Sequence, residues 1–410
     1  MKKITKKTLG ALAVTLLAAL LLAGCGGGGD RDKDTQPANG DEQKFKVAFV
    51  YITSAGDAGW TYAHDQGRLY LQEQLPWADA GAFIENVPEN PSDAERVITQ
   101  LVEEGNNVIF TTSFGYMDPT LNVAAKYPDV TFMHCSGYKT ADNVGAYFGR
   151  MYQARYLSGL VAGGATESNI IGYVAAYPIP EVIRGINAFT VGVRKVNPDA
   201  IVKVVWTNSW FDPTAEKQSA KALLDDGADV IAQHMDSPAP QQAAEEVGKL
   251  GIGYNSDMRE QAPGAVMTSP VWNWGPYYVE TVKAIKEGTF DSTPTAGTLT
   301  YWGGLKEGLV ALSDYGPMVP DETKQLVEQE KQRIISGQWD VFHGSVKDQD
   351  GAIKVPDGQK MSDSDMLNMD WFVEGVEGTI PAPSLTDNFV LGRVGYPNTL
   401  VQFPLRTLFD

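Results

Sequence analysis

Five stretches of the chain place aromatic rings beside carboxylates or amides where a β-branched run gives way to a loop. The first is Thr53-Ser54-Ala55-Gly56-Asp57-Ala58-Gly59-Trp60, and the second is Ser113-Phe114-Gly115-Tyr116. The others carry Asp236 (AQHMDSP), then Asn255 and Asp257 (YNSDM), then Trp272 and Trp274 (SPVWNWGP). Aromatic faces stack flat heterocycles, while carboxylates and amides accept hydrogen bonds from ring N–H groups. Together they suit a purine or a similar planar polar ligand, with stacking worth about 1–3 kcal/mol per ring. Tryptophan also buries well, so part of the aromatic set is expected in the core. Asp57 has a second reading as a helix N-cap, and Arg184, early in a helical stretch, reads as a surface or interlobe charge. Isolated carboxylates such as Asp236 and Asp257 are costly to bury without a partner, which favours a ligand beside them.

Catalytic patterns are missing. No GxGxxG follows a strand, and GxxxxGK[ST], HExxH, GxSxG and CxxC do not occur. His64, His134, His234 and His343 are scattered, with no pair at ligand spacing, so neither a metal nor a cofactor is expected. Asp225 and Asp226 precede Gly227 at a helix end, where a solvated cap is the simpler reading than acid–base work. Cys135 follows a strand-like run and reads as a small core residue.

The elements that must position these groups come from alternation of short apolar runs with helical stretches. Strands are expected over 45–51, 82–87, 107–111, 130–134 and 143–148. Helices are expected over 58–75, 91–104, 117–126 and 149–163. A second cycle gives strands at 170–175, 201–206, 229–233, 251–254 and 266–269, with helices at 180–196, 214–226 and 238–250. Helices at 275–287 and 321–336 follow, and 298–312 reads as extended chain crossing between lobes. Alternation of this kind makes parallel βαβ units with buried strands. Two doubly wound α/β units, each with loops at the carboxyl ends of its strands, predict a ligand cleft between two lobes.

The chain has 410 residues, 43% hydrophobic and 20% charged, which fits two or three globular units and excludes a disordered chain. Its net charge of −18 argues against nucleic-acid binding. Lys2, Lys3, Lys6 and Lys7 precede an uncharged, mostly apolar run from Leu9 to Ala23, too short to span a bilayer, which reads as a secretory signal over 1–24. It ends Leu22-Ala23-Gly24-Cys25, which resembles the bacterial lipobox, in which Cys25 is acylated and becomes the first mature residue. Loss of the four lysines would take the charge from −18 to −22. The Gly-rich, charged stretch 25–43 reads as a flexible tether. Lobe 1 is expected over 44–165 with a returning segment near 275–300, and lobe 2 over 166–274 with a segment near 305–345. After Pro381 the pattern is lost, and the tail 381–410 receives no assignment.

Several strings then carry a family resemblance. KVAFVY with GDAGWTYAHDQGR (Gly56 to Arg68), GYVAAYPIPEVIRGINAFTVGVR (Gly172 to Arg194), DVIAQHMDSPAPQQAAEE (Asp229 to Glu246) and WGPYYVETVKAIKEGTF (Trp274 to Phe290) resemble the basic membrane protein family. These are substrate-binding lipoproteins of ABC importers, and the family includes a purine nucleoside receptor of spirochaetes. The resemblance runs from Lys46 to Pro381, with WFVEGVEG (Trp371 to Gly378) similar to the family's C-terminal segment over 346–380. It implies a type I periplasmic-binding-protein fold, two Rossmann-like lobes joined by a multi-strand hinge. It also implies capture without chemistry, by lobe closure and then docking on a permease.

In nucleoside-binding members an Asp-Asn pair after the first strand contacts ribose; here the loop reads Gly56-Asp57-Ala58, so only the Asp carries over. An aromatic of the first helix stacks the base, which implies Trp60 or Tyr62. A late Asp that holds ribose hydroxyls corresponds to Asp257. A lysine of the next strand-end loop corresponds to the Trp272 region, and that departure favours a smaller, flatter ligand. The expectation is therefore a monomeric, lipid-anchored receptor outside the cytoplasmic membrane for a free, adenine-like nucleobase, with a purine nucleoside receptor as the alternative. From other classes, an extracellular nucleosidase would need an Asp cluster near the first loop, which a lone Asp57 does not supply. A signalling or adhesion lipoprotein has nothing positive in its favour.

Overall fold

The computed structural model describes residues 44–381. Cys25, the tether before Lys44 and the tail from Ala382 onward lie outside the described residues.

Two six-stranded parallel sheets dominate the structure. The first contains β1 (Phe45–Val50), β2 (Ala78–Ile84), β3 (Val108–Thr111), β4 (Thr131–Cys135) and β5 (Val144–Gly149). The second contains β6 (Ile170–Ala175), β7 (Ile201–Trp206), β8 (Val230–His234), β9 (Leu250–Ile252) and β10 (Val266–Thr268). Their spatial orders, β2-β1-β3-β4-β5 and β7-β6-β8-β9-β10, are the same doubly wound order repeated. Runs such as Phe-Lys-Val-Ala-Phe-Val in β1 and Ile-Ile-Gly-Tyr-Val-Ala in β6 are buried on both sides because helices cover both faces of each sheet.

In the first lobe, α1 (Trp60–Gln74) lies on one face, and α2 (Pro91–Glu103) and α3 (Met117–Ala124) on the other. In the second, α4 (Met151–Ala165) and α5 (Pro180–Val196) cover one face, and α6 (Pro213–Asp225) and α7 (Ala239–Glu246) the other. The small residues of α4 have a packing reason. A Cβ at Gly159 would sit 2.1 Å from the Phe189 carbonyl oxygen, and one at Gly192 would sit 2.1 Å from that of Tyr156. The two helices therefore touch backbone to backbone.

The chain then passes back and forth between the lobes. After β10, the strand β11 (Pro270–Trp272) leads to α8 (Trp274–Glu287), which packs on α1 in the first lobe. Next β12 (Tyr301–Gly303) pairs with β5 and closes that edge of the first sheet. β13 (Val310–Leu312) returns to pair antiparallel with β11. α9 (Asp321–Ile335) packs on α4, followed by the hairpin β14 (Val346–Lys347) and β15 (Ile353–Val355) and the short α10 (Asp363–Leu367). Finally β16 (Val376–Glu377) pairs with β7 and closes the edge of the second sheet. This is the type I periplasmic-binding-protein architecture.

Boundaries differ in informative places. β2 begins at Ala78, four residues before the expected start, because small residues at Ala78 and Ala80 fill its buried face and leave no β-branched signal. The helix expected over 238–250 stops at Glu246, where Gly248 takes a φ of 65° and turns the chain into β9.

Candidate ligand cleft

Loops from both lobes meet at the carboxyl ends of their strands and line one small cavity. From the first lobe come Ile52 and Trp60 after β1, Ser113 and Phe114 after β3, and Ser136 after β4. From the second come Glu181 after β6, Trp210 after β7, His234 and Asp236 at and after β8, and Tyr254 after β9. In each lobe these loops flank the point where strand order reverses, the position at which doubly wound sheets bind ligands. Four non-glycine residues of these loops, Ala58, Ser136, Asn208 and Asn255, hold positive φ values of 58°, 66°, 53° and 69°. Such backbone strain clusters where a site is held in a set shape.

Asp57 is the residue that starts α1. Its Oδ1 accepts from the amides of Gly59 (2.7 Å) and Tyr62 (2.9 Å), and its Oδ2 from Thr61 N (3.1 Å) and Thr53 Oγ1 (2.7 Å). Its acceptor capacity is thus spent on the helix end, which it caps from two residues before the N-cap Gly59. Burial raises its pKa, with the hydrogen bonds from Thr53 and the three amides pulling the other way. Trp60, placed by that helix start, lines the cavity and donates its indole N–H to Thr112 O at 2.6 Å. Tyr62, the other stacking candidate, is 38% exposed and is not among the cavity-lining residues.

Asp236 lines the cavity and is 5% exposed. Burial holds its pKa well above the ordinary carboxylate range, with Asp57 and Glu216 adding repulsion. Asn255 acts behind it. The Asn255 amide donates to Asp236 Oδ1 (3.1 Å) and Met235 O (3.3 Å), and its own oxygen accepts from Trp272 Nε1 (2.9 Å). Trp272 therefore stands behind the site, stacked on Trp274 at 4.6 Å and edge-on to Trp60 at 5.7 Å.

Four of the residues picked out from sequence are placed elsewhere. Tyr116 is fully buried in the first lobe with its hydroxyl donating to Val87 O at 2.5 Å, because its 3₁₀ turn directs the ring into the α2 and α3 core. Trp274 lies against His64 at 4.7 Å, inside the packing of α8 on α1. Asp257 forms a surface pair with Arg259, Nη2 to Oδ2 at 2.6 Å, outside the cavity lining. Arg184 is buried, with Nη1 donating to Met366 O at 2.7 Å and its guanidinium 5.2 Å from the Trp302 ring centre.

The sequence reading missed Glu181, Trp210, His234 and Tyr254. Each lies within a few residues of a strand end, and the Pro-Ile-Pro-Glu run that opens α5 is the available signal for Glu181. Glu181 Oε1 is 3.4 Å from His234 Nε2, and Tyr254 OH is 3.3 Å from the same nitrogen. Trp210 comes near enough across the cleft to counter in part the burial that raises the pKa of Glu89 of the first lobe, whose carboxylate accepts from Ser113 Oγ (2.5 Å) and Gly115 N (2.8 Å). Ser256 Oγ likewise crosses to donate to Ala58 O. Gly59 meets the second lobe so closely that a Cβ there would sit 2.2 Å from the Asp236 carbonyl oxygen. The lobes are in contact, and the cleft is closed. Among the described residues no group of three or more His, Cys, Asp or Glu is placed to hold a metal ion.

A family model described as ABC transporter substrate-binding protein, PnrA-like, matches residues 44–343. The chain belongs to this family. PnrA-like proteins are binding components of ABC transporters, not enzymes, and work outside the cytoplasm. A purine-binding protein of Brucella abortus is 47% identical over 83% of this chain and 95% of its own length. A putative ABC transporter glucose-binding protein of Haloferax volcanii is 41% identical over 86% of this chain and 85% of its own. Among solved structures, an ABC transporter solute-binding protein from Aeropyrum pernix superposes with a TM-score of 0.61 at 21% identity, covering 74% of this chain and 93% of the other. A second, from Conexibacter woesei, gives 0.58 at 23%, covering 72% and 97%. These two show that the PnrA-like fold seen here is shared by solute-binding proteins of distant sequence. No helix among the described residues is long and apolar enough to cross a membrane.

Proposed function

We propose that this PnrA-like protein is a lipoprotein, anchored through acylated Cys25, that captures a purine nucleobase by lobe closure and delivers it to an ABC permease. The observation that carries the ligand is the composition of the cleft. Trp60, Phe114, Trp210 and Tyr254 offer ring faces, Asp236 and Glu181 offer carboxyls, and no lysine or arginine is among the lining residues. Flat polar rings without negative charge match such a lining. The 47% identical relative named as purine-binding supports the same class.

Base is favoured over nucleoside by two placements. Asp257, the residue that would hold ribose hydroxyls, is paired with Arg259 away from the cavity, and the Trp272 region supplies no ammonium. A sugar is the second reading, because the 41% identical relative is named as glucose-binding and aromatic–carboxylate pairs also hold sugar rings.

Thermal-shift screening of the protein from about residue 43 onward against bases, nucleosides, glucose and amino acids tests this. A ligand at a hundredfold its Kd adds about 2.7 kcal/mol of stability. A shift with adenine or guanine exceeding that with their nucleosides is expected. A larger shift with nucleosides or with glucose would overturn the nucleobase reading.

A further inference from the structure

Glu181 is in an unusual position for a carboxyl. It lines the closed cleft in company with Asp236, and its one charged-group contact within 4 Å is His234 Nε2 at 3.4 Å, with no ion pair to either nearby arginine. Arg184, one turn along α5, gives its Nη1 to Met366 O and lies beside Trp302. Arg155, from α4, gives its Nη1 to Gln233 O at 2.6 Å and rests on the Tyr254 ring at 3.6 Å, while its Nε and Nη2 make no hydrogen bond and none of its nitrogens pairs with Glu181. His234, from β8, is held neutral by burial and by the charges of Arg155 and Arg184. The remaining ionisable neighbours, Cys135 at the end of β4, Tyr254 after β9 and Asp236 after β8, bring no positive charge. Two carboxyls in one enclosed cleft with no lining cation cannot both stay ionised cheaply, so a proton is retained.

We propose that Glu181 is a specificity-determining residue, a neutral carboxyl that reads a ligand edge bearing a hydrogen-bond donor next to an acceptor. A protonated carboxyl donates through its O–H and accepts through its other oxygen, whereas an ionised one only accepts. The complementary edge is an exocyclic amino group beside a ring nitrogen, the pattern of adenine. Burial, opposed by Arg184 and Arg155, pushes the Glu181 pKa up to about 7, which puts the loss of that proton within reach of experiment. This inference rests on the purine reading and narrows it to amino-bearing rings.

The test is calorimetric titration of the wild-type protein, Glu181→Gln and Glu181→Ala with adenine and with unsubstituted purine, from about pH 6 to about pH 8.5. Wild-type affinity for adenine should be highest at the acidic end and fall by about tenfold per pH unit once the carboxyl ionises. Glu181→Ala should bind adenine at least ~10-fold more weakly than wild type at the acidic end. Glu181→Gln, which keeps one donor and one acceptor but cannot titrate, should recover most of that loss and show a flat pH profile. Unsubstituted purine, lacking the amino donor, should bind the wild type more weakly than adenine.

A flat wild-type profile, a Gln variant no better than Ala, or equal affinity for the two ligands would each overturn the role of Glu181 while leaving the purine reading intact. If neither ligand binds the wild type at any pH, the purine reading falls and this inference falls with it.

Discussion

Asp236 and Asp257 carry the same functional group, follow neighbouring strands and have opposite surroundings. The first is enclosed, backed by Asn255 and short of counter-charge; the second shares a bidentate contact with Arg259 in reach of water. Asp236→Ala and Trp210→Ala should each weaken binding of the cognate base by about 1–3 kcal/mol. Asp257→Ala should change it by less than ~0.5 kcal/mol. Isothermal titration separates these, and a large loss at Asp257 with none at Asp236 would relocate the site. Trp272→Ala should act through Asn255, weakening binding without any direct ring contact to the ligand. Glu216 makes a different point. It is fully buried, accepts from Asp212 N at 2.9 Å and from Ser237 Oγ, and burial raises its pKa to about 7. The folded state then holds its proton more tightly than the unfolded state, so its contribution to stability declines as pH rises from about 4.5 to about 7 and is constant above. Denaturant titrations across that range should show a smaller decline in Glu216→Gln than in wild type; equal declines would reject this account. At this scale the sequence was half legible. It pointed to Trp60, Phe114 and Asp236, which line the cleft, but could not separate them from Tyr116 and Trp274. A ring beside a strand end looks the same in one dimension whether its turn directs it into the core or the cavity.

Helix α1 shows how an element carries a site. Asp57 satisfies three amides at its start, and that start fixes where Trp60 projects. Asp57→Ala should destabilise the fold by about 1–2 kcal/mol, measured as a shift in the urea midpoint at constant slope. A loss of binding with no loss of stability would instead restore Asp57 to the ligand. Elements of this kind were the most legible part of the chain, since buried parallel strands and capped helices leave strong periodic and turn signals. The start of β2 differs because alanines pack its buried face, and the β14–β15 hairpin and α10 leave no pattern to read. Those short pieces are held by tertiary contacts, such as the paired hydrogen bonds of Arg150 to Asp363 at 2.8 and 2.7 Å, rather than by local pattern.

For the whole molecule, closure is the functional event, and Gly59 is where the lobes approach most tightly. An alanine there would push its Cβ into the Asp236 carbonyl, a contact made between lobes and not within either. Gly59→Ala should therefore fold normally but lose at least ~10-fold in affinity, and with saturating ligand its radius of gyration in X-ray scattering should stay above that of liganded wild type. Ligand-driven compaction equal to wild type would show that closure does not need the missing side chain. The two-lobe arrangement was readable from alternation alone, whereas the partners that meet across the cleft, Glu89 with Trp210 and Ser256 with Ala58, were not. No local pattern joins residues that distant in the chain.

The two edge strands supplied by the last third of the chain have a consequence for how the protein is made. β5 waits for β12, and β7 waits for β16, so each sheet is finished by a segment that leaves the ribosome well over a hundred residues after its partner. At about 5–20 residues per second, each open edge persists for on the order of ten seconds of synthesis. The nascent chain therefore stays incomplete for most of its elongation, a state compatible with passage across a membrane before folding is finished.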